Sequence, residues 1–406
     1  MSRFKRYSAE QGMMFPPRLS DCVPENHLAR LVEEVVSGLD LKRFMQGYSD
    51  EGGLAYHPGL MISVWLYAYA VGVTSSRRLE MQIRESLPYM YLAGGLRPDY
   101  WALNDFRKQH ATAIQGIFTQ VLEVMGRGGM VRMGHVAIDS TRLLANAASE
   151  GVDSAKRLQK LRERWERDIE RWQKRCDEED HKESMATEVS REQRDRILGE
   201  LEKLRRREER LQESGKEKLS PTDPEARFMK DRGKFVLGYT ATAAVSENHV
   251  IVGIQVTQAP NDNGLLVPMV QEVERQTGQR PDKVSADAGF FSLGNLEEME
   301  RRGIDAYVPD SNLARELNRG QLCGQESQSS QARHGHMRQK LRSPAGRAVY
   351  GKRKGMIEPV FGVLKEQRGM RRLRRRGHTA AVTEFTLAAI AYNLTRMHVW
   401  RLAGTP

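Results

Sequence analysis

The chain has 406 residues, of which 39% are hydrophobic and 7% aromatic, and its formal net charge is +11. A chain of this length can form two or three domains with real cores. Its three cysteines include no CxxC pair, which argues against a disulfide scaffold or a Cys-type zinc site. We recognise no signal peptide and no apolar run of about twenty residues, so we expect a soluble cytoplasmic protein.

Residues 1–130 show helical patterns. Apolar residues at helical spacing follow His27, and Pro58 precedes a long apolar segment, which predicts the start of a buried helix. Residues 74–78 and 97–107 each combine an N-cap residue with basic side chains near a helix start. Such helices suit DNA contact of the helix-turn-helix kind, although most small helical domains share the pattern. We expect an all-α N-terminal domain.

Residues 150–225 differ in composition from the rest of the chain. Apolar residues recur there at steps of three and four, on both sides of a polar break. Between Ser154 and Lys218 there are 20 basic and 18 acidic residues, so the segment is nearly neutral. We predict an inserted antiparallel helical hairpin that serves packing or dimerisation and does not bind DNA.

After this segment the pattern changes to that of β-strands. Residues 235–245 and 249–257 are rich in β-branched residues and predict an antiparallel hairpin. A helix over 264–277, a strand ending at Asp287, a helix over 293–302 and a strand over 306–309 follow. With an earlier strand ending at Asp139, this order predicts an α/β fold, a ribonuclease H-like mixed sheet with flanking helices.

Three acidic residues stand at the ends of these elements. Asp139 and Asp287 each close an apolar run, and we expect them at strand tips. Glu358 precedes Pro359, which predicts a position at the N-terminus of a helix. Carboxylates held on rigid elements suit two Mg²⁺ ions, with Mn²⁺ as an alternative. Aspartates at strand ends and glutamates at helix starts also occur for turn and capping reasons alone.

The basic charge is concentrated near the end of the chain. Residues 331–406 contain 17 basic and 3 acidic residues, a net +14, so the other residues sum to −3. This concentration indicates a surface that binds a polyanion. A solvated face or a disordered basic tail is the alternative, but the apolar segment 385–394 follows and places the stretch inside a fold. The arginines that follow Lys365 are Arg368, Arg371, Arg372, Arg374, Arg375 and Arg376.

A series of short motifs resembles the DDE transposases of bacterial insertion sequences nearly from end to end. In the first part they are Met14-Phe-Pro-Pro, Tyr56-His-Pro, Gly72-Val-Thr-Ser-Ser-Arg77, Arg97-Pro-Asp99 and Asp105-Phe-Arg107. Further on they are Ile138-Asp139-Ser-Thr, Asp223-Pro-Glu-Ala-Arg227, Gly238-Tyr239, Asn261-Asp262, Ala286-Asp287-Ala-Gly-Phe290 and the stretch from Tyr350 to Lys365. Each motif alone is weak, and their order in one chain makes the resemblance specific.

The resemblance implies roles for single residues. It implies that Asp139, Asp287 and Glu358 bind metal and are catalytic. Tyr350, Arg353 and Lys365 match the family's Tyr-Arg-Glu-Lys helix, in which the lysine contacts DNA phosphate. Four residues separate Arg353 from Glu358 where three are commonest, and Lys354 has the three-residue separation, so either basic residue could face the scissile phosphate. The arginines after Lys365 would add phosphate contacts.

The resemblance also implies an activity and a domain organisation. The enzyme would cleave the inverted-repeat ends of its element and join them to target DNA, as a homodimer or higher oligomer on paired ends. Residues 1–130 would bind DNA ends, 131–149 and 226–406 would form the catalytic domain, and 150–225 would be the insert. The alternatives are a ribonuclease H-like nuclease without strand transfer and a catalytically inactive DNA-binding scaffold. A zinc site at Cys323, His334 and His336 lacks a fourth ligand.

Overall fold

The computed structural model describes residues 18–46, 48, 55–148, 152–179, 187–231, 233–319 and 332–404. The motif at residues 14–17, residues 180–186 of the polar break expected at 177–190, and Cys323 lie outside these ranges.

The first part of the chain is helical, as predicted. After a short 3-10 turn at Leu19–Cys22, the helices are α1 (Leu28–Ser37), α2 (Lys42–Met45), α3 (Pro58–Ala70), α4 (Ser76–Glu85), α5 (Leu87–Leu92), α6 (Tyr100–Gln109) and α7 (Ala111–Arg127). The cap predicted within 97–107 forms, since Asp99 accepts a hydrogen bond from Ala102 N–H at 2.7 Å, whereas Ser75 precedes α4 without a side-chain cap hydrogen bond. At α1 the His27 ring accepts a hydrogen bond from Ala29 N–H at 3.1 Å. Pro58 occupies the first turn of α3, where a missing N–H does no harm.

A two-stranded ribbon and two long helices follow the first strand of the chain. That strand is β1 (His135–Leu144), and the ribbon pairs β2 (Asp153–Ser154) with β3 (Lys218–Leu219). Between β2 and β3 run α8 (Ala155–Glu179) and α9 (Thr187–Glu213). Near the ribbon the two helices bury a cluster of Leu158, Leu204, Leu211 and Leu219. Buried Asp153 forms an ion pair with Arg207 across the base. Because 180–186 are not described, the inserted hairpin stays a prediction.

The six-stranded sheet is mixed, as the sequence predicts. Its further strands are β4 (Arg227–Asp231), β5 (Lys234–Ser246), β6 (Ile251–Thr257), β7 (Lys283–Ala286) and β8 (Asp305–Tyr307). The order is β4-β5-β1-β7-β8, and β6 lies beside β4 on the same edge of β5. The β4, β5, β6 and β1 pairings are antiparallel, and β1, β7 and β8 pair in parallel.

The remaining helices cover this sheet. They are α10 (Leu266–Thr277), α11 (Leu293–Arg301), α12 (Ser311–Arg319), α13 (Ala332–Arg342), α14 (Pro344–Gly362) and α15 (His378–Leu402). α14 packs on β1, β5 and β7, so it covers the middle of the sheet. α15 packs on β6 and also on α3 and α7, and almost all of its residues from Ala380 to Leu394 are buried. The apolar segment 385–394 therefore connects the sheet with the N-terminal helices.

Candidate active site

Two acidic side chains meet at the centre of the sheet. The parallel pairing of β1 with β7 ends where Ile138 lies opposite Ala286, and the next residue on each strand is Asp139 or Asp287. The two aspartates are therefore neighbours on adjacent strands. Asp287 follows its strand, as predicted, and caps the 3-10 turn Ala288–Phe290 by accepting a hydrogen bond of 2.9 Å from Gly289 N–H.

The expected position of Asp139 at a strand tip is wrong. β1 continues for five residues beyond it, because Ser140 to Leu144 pair with β5 after the pairing with β7 has ended. Asp139 thus lies at the point where β1 loses one of its two partners. Its side chain is 21% exposed at that point.

Burial and neighbouring charges set the protonation of the two aspartates. Burial, reinforced by the negative charge of Asp287, raises the pKa of Asp139 to about 6. Burial also raises the pKa of Asp287, although the positive charge of Arg353 opposes this change. Both carboxylates are therefore poised to favour an added positive charge.

The guanidinium of Arg353 lies against this pair. Its Nη1 donates to Asp139 Oδ2 at 2.9 Å, the side chain is only 8% exposed, and its Cζ lies 5.7 Å from the centre of the Tyr350 ring. Lys354 is exposed, and its Nζ donates to Asn318 Oδ1 at 3.0 Å. Of the two basic residues that the sequence leaves open, Arg353 is the one that faces the aspartates.

Glu358 does not begin a helix, so that prediction is wrong. α14 starts at Pro344, where Ser343 Oγ accepts a hydrogen bond of 3.0 Å from Gly346 N–H, and Pro359 lies inside the helix. The preference of the residue before proline for extended geometry is overridden here by the packing of α14 on the sheet. Beyond Gly362 the chain continues as a π-helical turn, Val363–Gln367. A favourable interaction with a helix N-terminus therefore does not apply to Glu358.

Glu358 lies apart from the aspartates. It is exposed, and five residues along an α-helix rotate it by about 140° from Arg353. Within the part of the chain that the structure describes, no group of three or more His, Cys, Asp or Glu side chains is placed to hold a metal ion. The structure brings Asp139 and Asp287 together and does not bring Glu358 to them.

The arginines after Lys365 lie on an irregular segment, residues 368–376, which we name the arginine loop. One side of this loop joins β1, since Leu144 N–H donates to Arg371 O at 3.0 Å and Leu373 N–H donates to Leu144 O at 2.9 Å. The side of the loop next to α15 is held by Glu384, a fully buried residue of that helix. Its carboxylate accepts hydrogen bonds of 2.9 Å from the N–H groups of Arg374 and Arg375.

The arginine loop also contacts the N-terminal helices. Arg374 Nε donates to Thr74 Oγ1 at 3.2 Å, and Arg375 Nη1 donates to Arg107 O at 3.4 Å. Arg107 is buried with its guanidinium 3.8 Å from the centre of the Trp65 ring. The loop is therefore bonded both to β1 and to the N-terminal helices.

The side chains of the loop differ in exposure. Arg368 is buried, its Nη2 donates to Thr395 Oγ1 at 2.9 Å, and burial lowers its pKa to about 10. Arg375 is half-buried. Arg371, Arg372, Arg374 and Arg376 are exposed. Only these four of the six arginines present their side chains openly to solvent.

Two protein-family models match the chain. The model described as "Transposase DDE domain" matches residues 135–394, and the model described as "Transposase domain (DUF772)" matches residues 17–109. The chain belongs to the DDE transposases. The first match spans the whole sheet with Asp139 and Asp287, and the second spans α1 to α6.

Other comparisons add little to this assignment. No curated protein matches the transposase significantly. One solved structure, described as "Cryo-EM structure of piggyBac transposase synaptic complex with hairpin DNA", is similar over 93% of this chain and 75% of that chain, at 9% sequence identity and a TM-score of 0.37. A likeness of that size is too weak to carry over any feature.

DDE transposases generally use divalent metal ions, and the two aspartates fit such an ion. Carboxylate oxygens are the ligands that hard cations prefer, and a cation would relieve the burial of charge that raises the pKa of Asp139. They supply two ligating groups, and the third carboxylate is not assembled beside them.

One ion pair at the edge of this site has no signal in the local sequence. The Asn261-Asp262 motif resembles the family's sequence, but the sequence assigns it no role. The structure places Asp262 beside Arg142 of β1, with Arg142 Nη1 at 3.2 Å from Asp262 Oδ1. The two residues are 120 positions apart. No local pattern could pair them, and only the resemblance of the motif draws attention to Asp262.

A second ion-pair cluster accounts for His334, one of the residues considered for zinc. His334 Nε2 lies 3.0 Å from Asp310 Oδ2, and Arg338 Nε donates to the same oxygen at 2.7 Å. His334 therefore belongs to an ion-pair cluster at the start of α12.

None of the helices in the described ranges of the transposase has the length and apolar character needed to cross a bilayer.

Proposed function

We propose that this transposase cleaves the inverted-repeat ends of a bacterial insertion sequence and joins them to target DNA by metal-dependent phosphoryl transfer. The observation that carries the proposal is the adjacency of Asp139 and Asp287 where the pairing of β1 and β7 ends, inside a chain of the DDE transposase family.

In this proposal Asp139 and Asp287 hold the metal, and Glu358 completes the site when DNA is bound. Mg²⁺, or Mn²⁺ in its place, would lower the pKa of the attacking water and stabilise the negative charge that develops on the leaving oxygen. Glu358 reaches the aspartates only if α14 turns or shifts. Pro359 and the π-helical turn Val363–Gln367 lower the cost of such a change, because both weaken the regular hydrogen bonding of that helix.

Basic side chains position the DNA. Arg353 neutralises Asp139 and is close enough to the aspartates to meet a phosphate that enters the site. Lys354, Lys365 and the exposed arginines of the arginine loop bind phosphates outside it, which fixes the strand without reading sequence. Tyr350 supports Arg353 through its ring.

We assign the functions of the three parts of the chain as the sequence predicts them. Residues 1–130 bind the DNA ends, 131–149 and 226–406 carry the chemistry, and 150–225 form an inserted antiparallel hairpin. The working form is a homodimer or higher oligomer on paired DNA ends, in the cytoplasm at the nucleoid.

The test uses the purified full chain with a duplex that carries one end of the element, a target plasmid and Mg²⁺. We expect a nick at the element end followed by joined products, and neither without a divalent ion. Nicks that never yield joined products would instead show a nuclease without strand transfer. DNA binding without either product, in a chain with intact carboxylates, would show an inactive scaffold.

A further inference from the structure

We propose that Asp262 and Arg142 form a positioning pair that holds Asp287 in place and balances the charge beside it. The inference rests on the proposed function, since it assigns two further residues to the same site.

Arg142 ties the Asp262 segment to the sheet. Its guanidinium binds both carboxylate oxygens of Asp262, at 3.2 Å from Nη1 and 3.4 Å from Nη2, and Nη2 also donates to Pro260 O at 3.0 Å. A further bond runs from Nη1 to Thr240 Oγ1 on β5. The Arg142 and Asp262 side chains are 13% and 17% exposed. A bidentate pair of this exposure fixes geometry better than a solvated ion pair does.

Gly289 brings Asp262 close to Asp287. A Cβ added at Gly289 would lie 3.1 Å from Asp287 Oδ1 and 3.4 Å from Asp262 Oδ2. Both carboxylates therefore approach the space beside one glycine, whose N–H donates a hydrogen bond to Asp287 Oδ1. Gly289 has no positive φ, so its backbone conformation would accept a side chain. A side chain is disfavoured there only because the space beside the two carboxylates is too small.

The turn after Asp287 is held from the same side. Asn295 Nδ2 donates to Asn263 O at 2.6 Å and to Phe290 O at 2.7 Å, so it links the segment after Asp262 to the end of the turn that Asp287 caps. Asp262, Gly289 and Asn295 therefore belong to one group of contacts that holds the turn after Asp287 in place.

Charge gives the pair a second role. The carboxylates of Asp262 and Asp287 both approach Gly289, and the Arg142 guanidinium forms an ion pair of 3.2 Å with Asp262 there. With both present, the charges of Asp262 and Arg142 offset each other beside Asp287. Without Asp262, Arg142 becomes an uncompensated cation that competes with a metal ion for Asp287.

The test measures Mn²⁺ alone on the DNA-free full chain, by the electron paramagnetic resonance of the free ion. Outer residues that orient a metal ligand typically change metal affinity by about 10- to 100-fold when replaced. We expect Asp262→Asn to weaken Mn²⁺ binding by about that factor. We expect the double variant Arg142→Gln, Asp262→Asn to recover part of the loss, because both charges are then gone. A double variant that binds Mn²⁺ no better than Asp262→Asn would overturn the charge-balancing role.

Matched controls separate this effect from general damage. Glu274→Gln breaks an ion pair with Arg302 of similar exposure, 29% and 19%, outside the site. Gly289→Ala should weaken Mn²⁺ binding, whereas Gly294→Ala should not, since nothing lies within 4 Å of its added Cβ. Should Asp262→Asn fail to fold by circular dichroism, the glycine pair carries the comparison.

Four outcomes are decisive. Weakened binding in Asp262→Asn and Gly289→Ala, with both controls unchanged, supports the pair. Unchanged Mn²⁺ affinity in Asp262→Asn, or an equal loss in Glu274→Gln, overturns it. Equal Mn²⁺ affinity in Gly289→Ala and Gly294→Ala overturns it as well. Failure of the proposed function looks different: the unaltered chain would bind no Mn²⁺, or Asp139→Asn would bind it as well as the unaltered chain does.

Discussion

The positions of Asp139 and Asp287 relative to each other depend on the pairing of β1 with β7. Both end an apolar run in the sequence, and both are expected near the ends of strands for reasons of turn geometry alone. The sequence does not show that they are neighbours, and it is the parallel register of β1 and β7 that places them side by side.

Removing one charge at this pair should stop chemistry without stopping DNA binding. Asp139→Asn and Asp287→Asn keep the shape of the side chain and remove a metal ligand, so end cleavage with Mg²⁺ should fall below detection. DNA affinity should stay equal or rise slightly, since repulsion of phosphate is removed. Cleavage assays and fluorescence anisotropy on the same duplex give both readings. Full cleavage by Asp139→Asn would refute the role of the aspartates.

Glu358 should behave differently when DNA is absent. Glu358→Gln should abolish cleavage, yet it should change the Mn²⁺ affinity of the DNA-free chain less than about twofold, because its carboxylate lies on another face of α14. Calorimetric titration of Mn²⁺ into Glu358→Gln and Asp139→Asn provides the comparison. A loss of affinity as large as that of Asp139→Asn would show that Glu358 already joins the aspartates without DNA.

The pH dependence of metal binding follows from the same geometry. A metal ion binds the ionised carboxylate, and burial with the charge of Asp287 raises the pKa of Asp139 to about 6. Mn²⁺ affinity should therefore be nearly constant above about pH 7 and fall by about tenfold per pH unit below about pH 6. An affinity that stays unchanged down to about pH 4.5 would contradict the raised pKa.

Helices and strands are predicted correctly where the local sequence pattern specifies them. The β5 and β6 hairpin is confirmed, because β-branched residues fill both strands. β4 has no such signal, since Arg227–Asp231 is short, polar and at the sheet edge. The true start of α14 has a local signal, Ser343-Pro344, but Pro359 draws the predicted boundary to Glu358 instead. The hydrogen bond of Arg353 to Asp139 spans 214 positions and depends on the packing of α14, which no local pattern encodes.

Within the arginine loop, we expect the exposed arginines to affect DNA binding and the buried Arg368 to affect stability. Replacing Arg372 and Arg376 by Ala should weaken binding to all DNA sequences and lower the salt dependence by about one slope unit for each phosphate that is no longer bound. Arg368→Ala removes a buried side chain and should lower the free energy of unfolding, with little change in the salt slope. Anisotropy titrations from about 50 to about 300 mM salt would test both. An unchanged slope in the double variant would make the exposed arginines ordinary solvated surface.

The helices α8 and α9 should be removable. Ser154 and Lys218 pair directly across the β2 and β3 ribbon, so a short Gly-Ser loop can join them without moving the sheet. The variant should carry Asp153→Asn, because removing α9 takes away the Arg207 partner of that buried carboxylate. We expect a Tm within about 4 °C of the full chain, the shift that about 1 kcal/mol produces in a domain of this size. Loss of the cooperative transition would refute an inserted arm.

Glu384 helps to connect the sheet with the N-terminal helices, because it holds the arginine loop that contacts both. Glu384→Gln leaves one acceptor where two backbone N–H groups need one each, so it should cost about 1–3 kcal/mol. Urea unfolding gives this value directly. Glu366→Gln is the control, since its exposed pair with Arg371 contributes about 0–1 kcal/mol. Equal losses in the two variants would remove the special role of Glu384.

The position of α15 also bears on what becomes of damaged gene copies. This helix packs on β6 of the sheet and on α3 and α7 of the N-terminal part, so the apolar residues that face a missing partner would be exposed. A copy truncated to its last two thirds would still encode both aspartates and all six arginines. We expect such a copy to yield an aggregating chain and not a folded competitor for DNA, which size-exclusion chromatography of the truncated chain would test.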